Sequence, residues 1–285
     1  MIYLEPRVLG WRPLVESWVN EEIAEPLRMY KHEILALFDF LVPQVLGRVF
    51  YLKLIRINPY FCIDHVRHVT KEVSQTGDSN LVRSLMNWTN VCMADALKDE
   101  EEPEKNKNVR SWLIYSIQWA CIWSLGATGD TDSRNKFDLF FRDLLRGKFE
   151  PIPDVFQGKF EIQIPEKGLV HDYYFVYKNR GDWFPWETLM KAAEGSGATV
   201  SMKNIRRYIV PTVDTTRVNF MLDLIIPSKR PILFVGPTGT GKSAYVQNYL
   251  MNKIDKDQYM AFFINFSAQT SNNQVQVNDS NEDFL

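Results

Sequence analysis

Apolar residues recur at helical spacing through the early part of the chain, from position 14 to about position 76. The repeat is clearest at Ile34, Leu35, Phe38, Leu41 and Val42. This spacing predicts amphipathic helices that bury one face. Pro26 and Pro43 interrupt the pattern and are expected to separate one helix from the next. Ahead of this region, residues 1–4 are predicted as a short strand, and Gly10 and Pro13 as part of a turn.

Further helices are predicted on both sides of a charged run. Residues 80–97 have helical spacing, whereas residues 98–108 (KDEEEPEKNKN) lack apolar side chains and contain Pro103, which predicts a solvated loop. Aromatic residues then recur along one helical face, at Trp112, Tyr115, Trp119 and Trp123. Such a stripe is typical of core packing. Helical spacing resumes over residues 138–146.

The pattern changes over residues 149–177, which bring in proline, glycine and alternating apolar positions. The alternating positions are Phe160, Ile162 and Ile164, then Tyr173, Phe175 and Tyr177. Alternation of this kind predicts short strands or a hairpin. Trp186–Glu194 is predicted as a short helix that Gly195 and Gly197 end.

From position 199 onward, helical and strand patterns alternate, which indicates an α/β fold. Residues 214–226 are predicted as a helix with Thr212 or Asp214 as its N-cap. The apolar run at residues 232–235 is typical of a buried parallel strand. A further helix and a further strand are predicted at residues 243–252 and 259–266. The polar stretch at 269–285 is expected to be poorly ordered.

Composition narrows the class of protein without identifying it. An apolar fraction of 45% in 285 residues suffices for a buried core, in two domains. The net charge of −2 gives no reason to expect nucleic acid or an anionic membrane as a partner. The three cysteines are widely spaced, which favours a reducing compartment: Cys62, Cys92 and Cys121. The most apolar stretch, residues 112–125, is shorter than the ~20 residues of a bilayer span. We therefore expect a soluble intracellular protein with no secretory signal.

One motif carries specific chemistry. Residues 236–243 read Gly-Pro-Thr-Gly-Thr-Gly-Lys-Ser, a full match to the phosphate-binding loop G-x-x-x-x-G-K-[ST]. Glycines let the main chain curl so that amide N–H groups converge on a phosphate, and the following helix adds the positive end of its dipole. Lys242 is then expected to reach the β- and γ-phosphates, and the Ser243 hydroxyl to bind Mg²⁺. The predicted binding residues are Gly236, Pro237, Thr238, Gly239, Thr240, Gly241, Lys242 and Ser243. The alternative is a chance glycine-rich turn, which the predicted strand before the motif and helix after it disfavour.

Hydrolysis needs a second element, an acidic residue at the end of a neighbouring strand. The predicted strand at 259–266 is followed by Ser267, while Asp255 and Asp257 precede it and Glu282 and Asp283 lie in the polar tail. No catalytic residue is therefore assigned. We expect nucleotide binding without turnover by this chain alone.

Four segments resemble dynein heavy chains, particularly the axonemal ones. The runs PILFVGPTGTGKSAYVQNYL and DQYMAFFINFSAQTSNNQVQ resemble the third AAA+ module of that family. The run IRRYIVPTVDTTRVNFMLDLII is similar to the stretch that precedes this loop, and MIYLEPRVLGW to a segment of the second AAA+ module. The resemblance extends to about Gln276 and ends at residues 277–285.

The resemblance implies a helical AAA+ small subdomain followed by a truncated P-loop NTPase α/β core. Residues 1–198 would be the C-terminal part of the second module, with a β-rich insertion near 149–177. Residues 199–276 would be the N-terminal part of the third module, and residues 277–285 a divergent tail. It also implies that Val210, Pro211 and Thr212 lie along the adenine of the nucleotide.

The function implied by the resemblance is that of an ATP-driven microtubule motor for ciliary movement, with ATP or ADP and Mg²⁺ as ligands. The expected partners are other dynein heavy-chain modules and axonemal dynein subunits, with microtubules bound only through parts absent here. The implied location is the cytoskeleton of the ciliary axoneme. Two alternatives stay open: a non-catalytic scaffold or regulatory fragment that has lost hydrolysis, and an independent P-loop NTPase or kinase.

Other chemically suggestive residues have simpler explanations. Cys62, His65 and His68 share helical spacing but lack a fourth metal ligand, so packing or surface roles are preferred. Cys121 is expected to be inert packing in the aromatic helix. Three arginines near the loop are interpreted as surface charge, with contact to phosphate or to a neighbouring module as the alternative: Arg206, Arg207 and Arg217.

Overall fold

A computed structural model describes residues 10–42, 71–74, 76–149, 151–194 and 210–266. The chain divides into two compact units, residues 1–242 and residues 243–285. Several predictions lie outside the described residues: the strand at 1–4, the roles of Pro43, Gly195 and Gly197, and the tail at 269–285. The possible metal ligands Cys62, His65 and His68 lie outside them as well.

The described α-helices begin with α1 (Arg12–Glu21), α2 (Lys31–Leu41), α3 (Asp78–Ala96), α4 (Val109–Ser124) and α5 (Thr131–Leu145). They continue with α6 (Trp186–Glu194), α7 (Val213–Ile225) and α8 (Lys242–Asn252). Short 3-10 turns lie at Glu25–Tyr30, Pro103–Lys105, Gly126–Thr128, Asp154–Phe156 and Val170–Asp172. Two strands, β1 (Tyr173–Val176) and β2 (Asp182–Pro185), pair as an antiparallel hairpin.

The aromatic helix α4 is the centre of the core, as its stripe of aromatic residues predicted. Every residue from Trp112 to Ile122 is buried. Trp119 meets Trp88 of α3 edge to face, with ring centroids 5.3 Å apart. From α1, Trp18 donates its indole N–H to Asn90 of α3 at 3.3 Å. Cys92 and Cys121 are both buried, and burial raises the pKa of the Cys92 thiol to about 12, which makes it a poor nucleophile.

The hairpin is held against α4 through its turn. Trp112 donates its indole N–H to the carbonyl oxygen of Asn179 at 2.9 Å. Ser111 donates its hydroxyl to the carbonyl oxygen of Arg180 at 2.9 Å. Gly181 has a φ of +85°, and a Cβ there would lie 2.1 Å from the ring of Phe175. Glycine is therefore required at this position by both conformation and space.

Several predicted helices are confirmed, with shifted ends. Helix α5 begins at Thr131, seven positions before the prediction, because the Asp130 side chain caps it by accepting from the Ser133 N–H at 2.9 Å. Pro13, predicted in a turn, lies in the first turn of α1, where its missing N–H costs nothing. Helix α7 uses Thr212, one of the two predicted caps.

The strand predicted at Phe160, Ile162 and Ile164 is wrong. The side chains of Phe160 and Ile164 are buried, but side chains rather than a partner strand satisfy the local backbone. The Ile162 N–H donates to the Tyr115 hydroxyl at 2.7 Å, and the Ile164 carbonyl accepts from Arg142 at 3.1 Å. The alternating apolar side chains are therefore buried or half-buried, but their backbone makes no hydrogen bonds to a partner strand in the described part of the chain.

The strands predicted at residues 232–235 and 259–266 are also not formed. Both segments lack strand hydrogen bonds, and the side chains of Leu233 and Phe266 are 82% and 65% exposed. A parallel strand needs neighbouring strands for its N–H and C=O groups. Among the described residues, none pairs with either segment. The fold seen is therefore mainly helical with one small hairpin, and the predicted α/β sheet is not present in this part of the chain.

Within the described ranges, no helix is both long and apolar enough to cross a membrane. The same residues contain no group of three or more histidine, cysteine or acidic side chains placed to hold a metal ion.

Candidate functional site

The phosphate-binding motif forms a curled, solvent-facing loop. Gly239 and Gly241 have φ values of +84° and +80°, in the left-handed region that glycine adopts without strain. The four residues from Pro237 to Thr240 are exposed. Helix α8 begins at Lys242, so its N-terminal turn follows the curl directly. This geometry leaves the loop accessible to an anion and adds the positive end of a helix dipole.

Lys242 folds its side chain back over the loop. Its Nζ donates to the carbonyl oxygens of Gly236 at 2.8 Å and Pro237 at 2.5 Å, and to the hydroxyl oxygen of Thr240 at 3.1 Å. Thr240 in turn donates its hydroxyl to the Pro237 carbonyl at 3.0 Å. The ammonium is thus held at the centre of the curl by three oxygen acceptors, the kind of group that a phosphate also presents.

Ser243, the residue predicted to reach Mg²⁺, is exposed in the first turn of α8. The acidic residues described after α8, Asp255 and Asp257, form part of a turn. In that turn the Asp257 N–H donates to the Asp255 carboxylate at 3.0 Å.

The segment predicted to contact adenine precedes α7. Val210 is 63% exposed. Thr212 caps α7 through a reciprocal pair of bonds: the Thr215 N–H donates to the Thr212 hydroxyl at 3.2 Å, and the Thr212 N–H donates to that of Thr215 at 2.7 Å. This capping box fixes the end of the segment.

Arg217, interpreted from sequence as surface charge, is largely buried. Its side chain is 13% exposed, and the guanidinium lies 5.6 Å from the ring centre of Trp123 and 5.9 Å from that of Trp186. Burial lowers the pKa of Arg217, while Asp214 and Asp172 oppose that change. The position of Arg217 on α7, one turn after Asp214, was the only sequence signal for an ion pair. Arg206 and Arg207 lie outside the described residues.

Next to this arginine lies an uncharged histidine. His171 is buried against the rings of Trp123 and Phe137. Burial, followed by repulsion from Arg134, lowers its pKa to about 3. His171 is therefore neutral at physiological pH and acts as a packing residue whose carbonyl accepts the Trp186 indole N–H at 2.9 Å.

Comparison with known proteins now identifies the class. A family sequence model described as "P-loop containing dynein motor region" matches residues 198–279, which include the loop. A second, described as "Dynein heavy chain AAA lid domain", matches residues 57–188, which include the aromatic core. Together with the curled loop, these matches define a P-loop protein of the AAA+ class.

Individual relatives indicate the family within this class. The chain is 40% identical over 286 residues to dynein axonemal heavy chain 12 of Mus musculus, covering 97% of this chain and 8% of the relative. It is 40% identical over 281 residues to the Homo sapiens protein of the same name, with the same coverage. Dynein axonemal heavy chain 3 of Homo sapiens is 33% identical over 288 residues, covering 97% of this chain and 6% of the relative.

The chain therefore belongs to the axonemal dynein heavy-chain family, and it spans less than a tenth of the length of these curated relatives. The resemblance predicted from the sequence is confirmed. The two alternatives, a non-catalytic scaffold or regulatory fragment that has lost hydrolysis and an independent P-loop NTPase or kinase, are not favoured.

Proposed function

We propose that this chain binds MgATP or MgADP as the nucleotide-binding part of an axonemal dynein heavy chain. The observation that carries the proposal is the closed curl of residues 236–242, in which the Lys242 ammonium lies over the main chain of the loop. A bound phosphate would replace the carbonyl oxygens as the partner of that ammonium.

The proposed roles follow the order of the motif. The main-chain amides of Gly236, Thr238, Gly239, Thr240 and Gly241 donate to the phosphates, and α8 follows them in the chain. Pro237 has no N–H to donate, so its contribution is to fix the backbone of the loop. Lys242 would contact the β- and γ-phosphates, and the exposed Ser243 hydroxyl would be one of the ligands that hold Mg²⁺. Val210, Pro211 and Thr212 contact the adenine. Magnesium supplies charge neutralisation between phosphates when it is bound.

The wider function of such a chain is also a proposal. We place residues 1–198 in a second AAA+ module, residues 199–276 in a third, and residues 277–285 in a divergent tail. The partners are then the other heavy-chain modules and axonemal dynein subunits, at the axoneme of a cilium. Movement along microtubules belongs to the assembled heavy chain. The acidic residues described after Ser243, Asp255 and Asp257, belong to a turn and do not follow a strand. The proposed role of this chain is therefore binding, with little turnover of its own.

The test is a calorimetric titration of the 285-residue chain with MgATP and MgADP. Lys242→Ala is expected to weaken MgATP binding about 10- to 100-fold, because a hydrogen bond to a charged group contributes about 1.5–3 kcal/mol. Lys256→Ala removes an exposed lysine outside the motif and is the matched control, with unchanged affinity.

Equal affinities for the wild type and Lys242→Ala would contradict the proposal, as would no binding by either. Steady-state ATP hydrolysis well above that of Lys242→Ala would contradict the assignment of binding without turnover.

A further inference from the structure

Helix α7 is attached to the aromatic core by two residues one turn apart. Phe220 packs against Trp186 with ring centroids 5.1 Å apart, and against Tyr174 at 5.6 Å. Arg217, on the same face of the helix, approaches Trp186 as well. Two different side chains of α7 therefore meet one indole ring of α6.

Arg217 contacts the core through its ring-facing surface and its two terminal nitrogens, while its buried Nε has no hydrogen-bond partner. Its guanidinium lies over Trp123 and Trp186, while Nη1 pairs with Asp214 at 3.0 Å and Nη2 with Asp172 at 3.3 Å. Asp214 belongs to α7 itself, whereas Asp172 immediately precedes β1. The arginine therefore connects α7 to three separate parts of the core: α4, α6 and the turn before the hairpin.

This arrangement depends on the shape of a guanidinium. A planar, delocalised cation stacks on aromatic faces and donates to two carboxylates at fixed angles, whereas a lysine ammonium is a compact point charge. The position of Trp186 is fixed independently, because its indole N–H donates to the His171 carbonyl. The indole ring on which Arg217 packs is therefore held in place by a hydrogen bond that does not involve Arg217.

Arg217 is also close in sequence to the segment assigned to adenine. About 1.4 helical turns separate it from Thr212, the cap of α7, and Val210 and Pro211 come directly before that cap. A capped helix is rigid over so short a distance, so the contacts that fix Arg217 also fix the main chain at Thr212. By contrast, the three bonds of Lys242 all end on residues of the loop itself.

We infer that Arg217 is a positioning residue for the purine side of the nucleotide site. It anchors α7 to the aromatic core and so holds residues 210–212 in the place where they receive adenine, while the phosphate loop keeps its own shape without it. This inference rests on the proposed function, since it assumes that the chain binds a nucleotide. Arg217 then affects the affinity for its purine, and the phosphate loop affects the affinity for its phosphates.

The experiment compares two ligands that share the phosphates and differ in the purine, MgATP and magnesium tripolyphosphate. Both are titrated into the full chain, as wild type and as Arg217→Lys, which keeps the charge and removes the planar group. We expect the dissociation constant for MgATP to rise about five- to tenfold, because lysine lacks the planar group that stacks on the two indoles and reaches both carboxylates. That for tripolyphosphate should stay within about twofold, because the loop and the net charge are unchanged.

Two further variants complete the design. Arg180→Lys makes the same replacement at an exposed arginine that pairs with Glu161, and should change neither constant. Phe220→Leu keeps the guanidinium and weakens the neighbouring contact on the same face of α7. It should therefore raise the dissociation constant for MgATP relative to that for tripolyphosphate, by a smaller factor than Arg217→Lys does. If Arg217→Lys does not fold, Phe220→Leu decides the question.

A merely structural role for Arg217 would weaken both ligands together, or neither, and either result would overturn the inference while leaving the proposed function intact. If the wild-type chain binds neither MgATP nor tripolyphosphate, the proposed function is wrong and the inference is wrong with it.

Discussion

The Nζ of Lys242 lies 2.8 Å from the carbonyl oxygen of Gly236, so the charged residue of the motif contacts its first glycine. The intervening residues must curl to allow this contact, and two glycines with positive φ provide the curl. A loop closed in this way keeps its cation in place before any phosphate arrives. Binding then exchanges one set of oxygen partners for another and requires little reorganisation.

The left-handed conformation at Gly239 leads to the first prediction. A Cβ at this position meets no protein atom within 4 Å, so the strain caused there by a substitution comes from backbone conformation. Asparagine tolerates positive φ, whereas valine does so rarely. We expect Gly239→Asn to reduce MgATP affinity only slightly and Gly239→Val to reduce it about tenfold or more, measured by calorimetry. A larger loss for asparagine than for valine would show that strain is not the cause.

A second prediction concerns two ion pairs of the same spacing on α5. Asp138 and Arg142 pair at 3.0 Å with side chains only 8% and 11% exposed, and Asp138 also accepts from the Val170 N–H. Removing one member of a buried pair typically costs about 3–5 kcal/mol. Asp138→Ala should therefore lower the free energy of unfolding in urea by about 3 kcal/mol or more.

The exposed pair on the same helix is the control for this measurement. Asp132 and Lys136 pair at 2.7 Å with both side chains largely in solvent. Exposed pairs contribute little because water already solvates both charges. Asp132→Ala should therefore change stability far less than Asp138→Ala, and equal losses would contradict the role assigned to burial.

Position 171 gives a pH-dependent prediction. The pKa of His171 is about 3 in the folded chain and 6.5 in its ordinary state, so below pH 6.5 the unfolded chain takes up a proton that the folded chain does not. The stability contributed by the neutral imidazole is present in full above pH 6.5 and is lost as the pH falls toward 3. The slope approaches about 1.4 kcal/mol per pH unit for one such group.

His171→Phe keeps a planar ring against Trp123 and Phe137 and removes this titration. Urea unfolding at pH 6.5, 5.5 and 4.5 should show a smaller loss of stability with acid for the variant than for the wild type. Parallel curves for the two proteins would mean that His171 does not remain neutral in the folded state.

The capping box at the start of α7 supports a fourth prediction. Thr212→Ala removes the hydroxyl that accepts from the Thr215 N–H, which should cost about 1 kcal/mol in the free energy of unfolding. Thr212→Ser keeps that oxygen and should restore most of the loss. Failure of serine to restore stability would point to the lost methyl group as the cause.

The sequence predicted features that depend on neighbouring positions along the chain. The stripe from Trp112 to Trp123 required helix α4 to be buried, and the motif at residues 236–243 predicted both the curl and the helix after it. Thr212 was recognisable as a cap because the bonds involved reach only three residues ahead.

Features that depend on distant partners could not be predicted in the same way. The alternation at Phe160, Ile162 and Ile164 suggested a strand, yet the partners of this backbone are Tyr115 and Arg142. The charge of Arg217 suggested a surface residue, since nothing local shows that two indole rings would cover it. The runs at 232–235 and 259–266 have the composition of strands, but hydrogen-bonded neighbours decide whether a strand forms.

The most direct test of the nucleotide site is an NMR titration of the chain labelled with ¹⁵N at glycine. The labelled amides include those of Gly236, Gly239 and Gly241, which Gly→Ala variants assign. Adding MgADP should shift these resonances strongly, because amide N–H groups that donate to phosphate oxygens become deshielded, while Gly77 in the capping turn of α3 should hold its position. Unshifted loop glycines at saturating MgADP would contradict the account, since the phosphates would then lie elsewhere or not bind at all.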